Sequence, residues 1–360
     1  MVTFVAKKKM ILHIFNPEHD LALASNLCNF TAPHAGRQLR QDLGWLPVLW
    51  AGEDDLILVD NVKNVQRSLG HMRVRSLHTG ISCQFVVKTQ ISRLNITEVR
   101  PWGWNLALRS FLLRYGVSAV PSEEYIAGVR ELSHRRHAAS LLSYLQGQGT
   151  TGFSCETDSM ADLSDFQRHY GVIVVKAPWS SSGRGIRFFN DSLNDSQERW
   201  VRNVIDRQGS VIVEPYYHKV KDFGMEFESD GQGCVRYLGL SLFLTKNGAY
   251  KGNVLMSEKA KVESLNRFVS VGLLREMQDK ICGELGNLYK DKYKGPFGVD
   301  MMIIAQPEGG GFLLHPCVEI NLRRTMGHVA LSFPPFADGL PRVMQIVLTD
   351  KYKMQVRKQR

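Results

Sequence analysis

Short apolar runs alternate with amphipathic stretches from the start of the chain. MILHIF at 10–15 and LPVLW at 46–50 read as buried strands, with a helical stretch around Ala35 to Leu43 between them. Strand, helix and strand in succession predict a parallel α/β unit. LILVD at 56–60 is the best further strand, and a helix is predicted through Trp104 to Tyr115. Gly116 to Pro121 reads as a strand leading out of this first domain. From Ser133 to Gln146 the pattern turns helical again, with Ser133 as N-cap. Strands follow at Val172 to Val175, Val211 to Val213 and Val299 to Ile304, and another, Phe312 to Asn321, comes after the glycine turn 309–311. The last two form a hairpin with acidic residues on both arms.

A chain of 360 residues exceeds one ordinary core. The expected division is an N-terminal α/β domain over 1–120, a small domain with a Ser/Gly loop over 121–210, and a C-terminal domain with the acidic hairpin over 211–360. The 44% hydrophobic content suits a globular interior, and no apolar run is long enough for a membrane helix. The basic cluster Lys7 to Lys9 ahead of an apolar run looks superficially like a signal peptide. That run holds His13, however, and breaks at Asn16-Pro17-Glu18-His19-Asp20 without a small-residue cleavage site. The six cysteines are scattered with no CxxC pair, which argues against zinc and disulfides and fits a cytoplasmic protein. The formal charge of +10 favours anionic ligands. It is spread along the chain rather than gathered in an arm, and aromatics are rarely interleaved with Arg and Lys, which argues against a nucleic-acid module.

Four stretches carry candidate chemistry. In VIVVKAPWSSSGRGIRFF (172–189) a strand delivers Lys176, a point charge for nucleotide phosphates, and then the turn Ser180-Ser181-Ser182-Gly183-Arg184-Gly185. Consecutive N–H groups in such a turn can cradle phosphate oxygens, although a Ser/Gly turn between strands also serves as a plain hairpin. It is neither a Walker loop nor a dinucleotide fingerprint. In VIVEPYYHKVKDF (211–223) a strand ending at Glu214-Pro215-Tyr216-Tyr217 could present its backbone to an adenine edge, and Asp222 could reach ribose hydroxyls. A strand edge with a surface ion pair is the plainer alternative. In the hairpin, Asp300 and Glu319 could converge, with Asn321 on the same face as Glu319. Such oxygens suit Mg²⁺, and buried acids amid Val, Ile and Cys require a cation or a partner. Arg323 and Arg324 would balance their charge, and a buried Glu–Arg pair alone is the competing reading. Finally, Asn16 as cap and Pro17 in the first turn predict a helix start after the first strand, with Glu18, His19 and Asp20 at the domain mouth touching a second substrate, or else serving only as a capped helix start. Arg324 with His328 is a second candidate substrate contact.

The order VVKAPWSSSGRGI, VIVEPYY, GVDMMI, VEINLRRTMGH resembles the ATP-grasp superfamily, the fold of biotin carboxylase, D-alanine–D-alanine ligase and carbamoyl phosphate synthetase. The resemblance covers roughly residues 120–335, and the opening α/β unit is similar to the domain preceding the grasp. It implies Lys176 on the α- and β-phosphates, and Ser181, Ser182, Gly183, Arg184 and Gly185 as a loop closing over them. It further implies Glu214, Pro215, Tyr216 and Tyr217 as the adenine hinge, and Asp222 on ribose. Asp300, Glu319 and Asn321 would hold Mg²⁺, or Mn²⁺ in its place, and Arg323 would face the transferred phosphate. The family usually has a further lysine on the helix entering the grasp. This chain offers only Arg135 or Arg136 in SHRRHAAS, and Arg136 is the choice by distance to Gly147. Leu322 stands where many members have proline. The implied activity is ligation: a small-molecule or peptide carboxylate becomes an acyl phosphate that an amine captures. Kinase-like phosphotransfer and non-catalytic nucleotide binding are the rival uses of the fold.

Overall fold

The computed structural model describes residues 9–71, 83–180, 185–190, 192–246, 249–306, 310–336 and 338–358. The chain divides into two compact units, 1–126 with 346–355, and 127–345 with 356–360. Among the described residues no helix is long and apolar enough to cross a membrane, and all six cysteines are free.

In the first unit the elements are β1 (Ile11–Ile14), α1 (His19–Ser25), α2 (His34–Leu43), β2 (Leu56–Leu58), α3 (Val62–His71), β3 (Gln84–Val86), α4 (Lys88–Ile91), β4 (Glu98–Pro101), α5 (Leu106–Arg114) and α6 (Glu123–Leu132), the last reaching into the second unit. The four strands are parallel in the order β3-β2-β1-β4, with Leu12 opposite both Leu56 and Val99. Leu12, Ile14, Leu56, Val99, Leu108 and Leu112 form its core. LPVLW is not a strand. Residues Leu46–Leu49 wind into a 3-10 turn with Pro47 near its start, because proline offers no N–H to a ladder and sets a helical φ. Gly116 to Pro121 joins no sheet either: Gly116, at φ 76°, ends the turn after α5 in the left-handed region, and the residues beyond it run without a strand partner.

Beyond residue 132 the described residues form two further sheets. The elements are α7 (Arg135–Tyr144), β5 (Cys155–Thr157), α8 (Met160–Tyr170), β6 (Ile173–Lys176), β7 (Ile186–Phe189), α9 (Asp195–Gln208), β8 (Val211–Pro215), β9 (Lys219–Ser229), β10 (Val235–Lys246), β11 (Ala249–Leu255), α10 (Glu258–Asn266), α11 (Val271–Tyr289), β12 (Gly295–Ala305), β13 (Phe312–Asn321), α12 (Met326–Leu331), β14 (Arg342–Leu348) and β15 (Tyr352–Lys358), with residues 346–355 of the last two counted in the first unit. The small antiparallel sheet runs β5-β8-β6-β7, its apolar side built from Ile173, Val175, Val211 and Val213 against Leu163 of α8 and Val201 of α9. The larger runs β13-β12-β9-β10-β11-β14-β15.

Alternation along β9 and β12 divides the larger sheet into two chemically different faces. Phe223, Met225 and Phe227 with Phe297 and Val299 are fully buried, as are Met277, Ile281, Leu285 and Tyr289 of α11. The Phe227 and Phe297 rings stack at 5.2 Å and Tyr289 meets Phe297 edge-on. The intervening positions, Asp222, Gly224, Glu226, Gly298 and Asp300, look the other way. At α7 the cap is His134, whose Nδ1 accepts from the Arg136 N–H at 3.0 Å, and not Ser133. The Ser133 hydroxyl is already committed, donating to the Val129 carbonyl at 2.7 Å as α6 ends.

Candidate active site

Lys176 closes β6 with its side chain almost fully buried, beside β8. Its ammonium lies 2.7 Å from the Glu214 carboxylate and donates at 3.4 Å to the Val318 carbonyl of β13. One lysine thus ties the small sheet to the strand that carries Glu319 and Asn321. Glu214 is as deeply buried, with the Ser154 hydroxyl donating to it at 3.3 Å, so its side chain is spent on Lys176. Of the residues expected to form a hinge, that leaves the backbone and rings of Tyr216 and Tyr217. Tyr216 is exposed, and Tyr217 meets His315 edge-on at 5.5 Å, with burial pushing its phenol up to about 12.

The entry helix presents Arg135, not Arg136, to this cluster. Arg135 Nη1 donates to the Ala177 carbonyl and to Ser180 Oγ, and Nη2 lies 2.6 Å from Glu319 Oε1. Arg136 points away, to Glu156 at 3.1 Å and Glu131 at 3.6 Å. Helix phase decides between the neighbours. Arg135 shares the buried face of α7 with Ala138, Leu141 and Leu142, spaced three and four residues apart, whereas Arg136 falls outside it.

On the hairpin, Asp300 stands directly opposite Glu319, and Gly298 opposite Asn321. The Asn321 amide donates to Asp300 Oδ2 at 2.9 Å, and Arg323 Nη2 donates to Asn321 Oδ1 at 3.0 Å. Burial raises the Asp300 carboxyl to about 8, with Glu319 and then Glu226 adding repulsion. Glu226 lies on β9 across from Gly298, and sequence reasoning did not single it out. The alternation Asp222, Gly224, Glu226 was its available signal. It is 3% exposed, and its carboxylate fills the room left by the absent side chains of Gly298 and Gly327. Two carboxylates and an amide oxygen at adjoining positions, with a third carboxylate raising the negative potential, form a donor set that fits Mg²⁺ or Mn²⁺. No group of three or more His, Cys, Asp and Glu that could hold a metal occurs among the described residues, so such an ion would depend on Asn321 and on oxygens from a bound ligand.

The remaining predicted residues fall in different places. Asp222 lies on β9, 2.5 Å from Lys219 and accepting from Thr245 Oγ1 at 2.9 Å. Gly185 packs against Ser180 so closely that a side chain would collide with it, while Ser181, Ser182, Gly183 and Arg184 lie outside the described residues. His328 is buried in α12, its Nε2 3.2 Å from the Phe227 carbonyl and its Nδ1 2.9 Å from Glu226 Oε2, so it presents no surface to a substrate. Arg324 is partly exposed next to it in sequence. In the first unit Asn16 does not cap α1. Its amide donates to the Gly103 carbonyl at 2.9 Å, and the helix begins at His19 after Glu18. His19 is buried against Gly103 and Asn105, Asp20 is half-buried in the first turn, and Glu18 pairs with Arg40.

No protein-family model and no curated protein matches the chain. Solved structures do. An N5-carboxyaminoimidazole synthetase from Staphylococcus aureus aligns with a TM-score of 0.50 and 11% identity, over 95% of this chain and 84% of that one. The biotin carboxylase domain of the Hydrogenobacter thermophilus 2-oxoglutarate carboxylase, solved with MgADP, ADP and bicarbonate, aligns at 0.50 and 11%, over 94% and 74%. At that identity the likeness is one of fold. The described strands match it: a parallel four-stranded sheet and two antiparallel sheets. The chain has the fold of the ATP-grasp superfamily.

Proposed function

We propose that this protein is an ATP-dependent ligase that activates a carboxylate as an acyl phosphate and lets an amine capture it. The observation that carries the reading is the convergence of three cations on the acidic hairpin. Lys176 touches β13 at Val318, Arg135 touches Glu319, and Arg323 touches Asn321 beside Asp300. Phosphoryl transfer requires positioning and neutralisation of charge on the moving phosphoryl group, with little covalent work for the protein. Lys176 would hold the α- and β-phosphates, and Arg135 takes the place assigned from sequence to Arg136. Arg323 would face the phosphoryl group in flight. Asp300, Glu319 and Asn321 would hold Mg²⁺, which supplies Lewis-acid charge at the phosphate oxygens. Without an ion, the Arg135 guanidinium supplies the counter-charge that Glu319 needs. The backbone at Tyr216 and Tyr217 would read adenine, and Asp222 would accept from ribose hydroxyls.

The carboxylate oxygen of the first substrate attacks the γ-phosphorus and ADP leaves. The amine then attacks the acyl carbon, and inorganic phosphate leaves with the electron pair of the broken C–O bond. Water would hydrolyse that intermediate, so enclosure of the phosphates matters as much as charge. The deciding experiment measures ADP and free phosphate together across paired carboxylates and amines. Ligation yields the two in equal amounts with an amide, and Glu319→Gln abolishes both. A phosphorylated acceptor with no free phosphate would instead establish kinase-like use of the fold. Nucleotide binding without turnover across the panel would leave a binding protein.

A further inference from the structure

The apolar face of the larger sheet, turned away from the acids, carries a cavity of about 490 Å³ within the second unit. Alternation places its floor. Leu242 pairs with Phe223, so Leu242 and, two residues along each strand, Leu244 and Lys221 share the row of Phe223 and Met225. Leu242 is 2% exposed at the bottom, and Leu244 is 38% exposed at the edge. Asn253 of β11 donates to Ser241 Oγ on the other face, which turns Val254 into the same cavity. The rim comes from Ser264, Arg267 and Phe268, at the end of α10 and in the turn before α11. Lys261 of α10 anchors that rim by donating to the Leu240 carbonyl at 2.6 Å, and Phe268 meets Phe312 of β13 edge-on at 4.9 Å.

Lys221 is the exception in a row that otherwise reads Phe223, Met225 and Phe227. It is half-buried and lines the cavity, and among the described residues its ammonium has neither a hydrogen bond nor a carboxylate in ion-pair range. Burial, and then the positive charge of Arg267, hold it below the ordinary lysine range. Arg267 is exposed at the rim, where its Nε donates to the Ser264 carbonyl at 3.2 Å, and no described carboxylate pairs with it. Lys219 differs from both, because Asp222 neutralises it at 2.5 Å. Two cations therefore stand at one apolar cavity without counter-charge, an arrangement that is costly for the more buried of them. A few convergent polar groups among apolar walls are the usual make-up of a small-molecule site, and this volume lies in the usual range.

We propose that this cavity binds an amphiphilic organic anion, its apolar body against Leu242, Leu244, Val254 and Met256 and its carboxylate or phosphate between Lys221 and Arg267. The head group supplies the charge that both cations lack, and the tail covers Leu244. A neutral molecule of the same shape leaves the cations uncompensated and a cationic one is repelled, so the site selects by charge as well as by shape. Alternation along β9 sends Lys221 and Asp222 to opposite faces, so the site stands apart from the residues assigned to the nucleotide.

The test uses the full chain without nucleotide, by titration calorimetry and thermal shift. The probes are hexanoate, octanoate, hexyl phosphate and octyl phosphate, each beside the alcohol and the amine of the same length, with acetate and inorganic phosphate as tail-free controls. At least one alkyl anion should bind, at least about tenfold more tightly than its alcohol, its amine and its tail-free head. Lys221→Met keeps the length of the side chain and should weaken that anion at least about tenfold, and Arg267→Ala at least about threefold, with the alcohol unaffected by either. Leu244→Asp, at the exposed edge, should abolish binding. Comparing the carboxylates with the phosphates identifies the head group. Absence of binding by every alkyl anion at about 2 mM overturns the assignment, as does unchanged affinity in Lys221→Met. An alcohol that binds as tightly as its anion overturns it too, since the cations would then play no part. Should Lys221→Met fail to fold, unchanged affinity in Arg267→Ala overturns it equally. A chain stabilised by Mg-ATP that binds none of these anions refutes this site and leaves the ligase reading standing.

Discussion

Replacing Lys176 by methionine separates what this residue does for the fold from what it does for a nucleotide. The side chain keeps most of its length and loses its charge, so Glu214 remains buried without its cation. Both side chains are below a tenth exposed and lie 2.7 Å apart, so solvent cannot compensate. Removing one partner of such a pair costs about 3–5 kcal/mol. For a unit of this size that lowers the melting temperature by roughly 6–20 °C, at about 2–4 °C per kcal/mol. Adding Glu214→Gln removes the stranded charge and should recover most of the loss. The amide also still accepts from Ser154. Calorimetric melting of the parent, both single variants and the double variant closes the cycle. ATP binding by titration calorimetry on the same proteins should stay at least about tenfold weaker in Lys176→Met and in the double variant. A double variant as unstable as Lys176→Met would refute the ion-pair reasoning. Parental ATP affinity in the double variant would refute the phosphate role of Lys176.

Arg135→Gln should cut ATP turnover by about a hundredfold in an ADP-release assay, at roughly 3 kcal/mol for a charge aimed at the phosphates, while Arg136→Gln, whose ion pairs are largely exposed, should change stability by less than about 1 kcal/mol. Gly327→Ala places a methyl group on the Glu226 carboxylate and should cost about 1–3 kcal/mol in urea unfolding; Gly327→Ala with Glu226→Ala should regain part of it. Burial lowers His134 to about 4 and His315 to about 3, from 6.5 when unfolded. The unfolded chain therefore takes up protons that the fold refuses, and stability should fall as pH drops below about 6.5, by roughly 2 kcal/mol per histidine at pH 5. His315→Leu should remove its share and shift the acid-unfolding midpoint downward, as read by circular dichroism. Both ring nitrogens of His315 are buried without partners, so the same substitution should not destabilise the protein at pH 8 by more than about 1 kcal/mol.

Much of the candidate site's geometry was legible because it lies on strands whose pattern is unambiguous. The hairpin arms, the opposition of Asp300 to Glu319 and the placement of Lys176 at a strand end all follow from period-two alternation and a glycine turn. Arg135 was legible too, since Arg135, Ala138 and Leu142 share one helix face, but counting residues to Gly147 favoured its neighbour. LPVLW was misleading for a different reason. Its apolar content fits a buried strand and a buried turn equally, and only the missing N–H of Pro47 distinguishes them. The α11 helix, spaced Leu274, Met277, Ile281 and Leu285, left a clear trace that a search led by carboxylates passed over. What no local pattern could supply is the long-range pairing: Glu18 with Arg40, and Glu226 with the glycines of β12 and α12.

The two-faced sheet has an evolutionary corollary. Phe223, Met225, Phe227 and Phe297 fill the apolar face, where Phe297 meets Tyr289 of α11 edge-on, and none of these side chains lies on the face of the acids. A lineage could therefore exchange Asp300, whose carboxyl burial already pushes up to about 8, for a neutral residue and still inherit a sound scaffold, whereas Glu319 is tied to the buried Arg135. Descendants of such a sheet would keep one ancestry in their backbones and diverge in occupation, and what each still does would be written on the polar side alone.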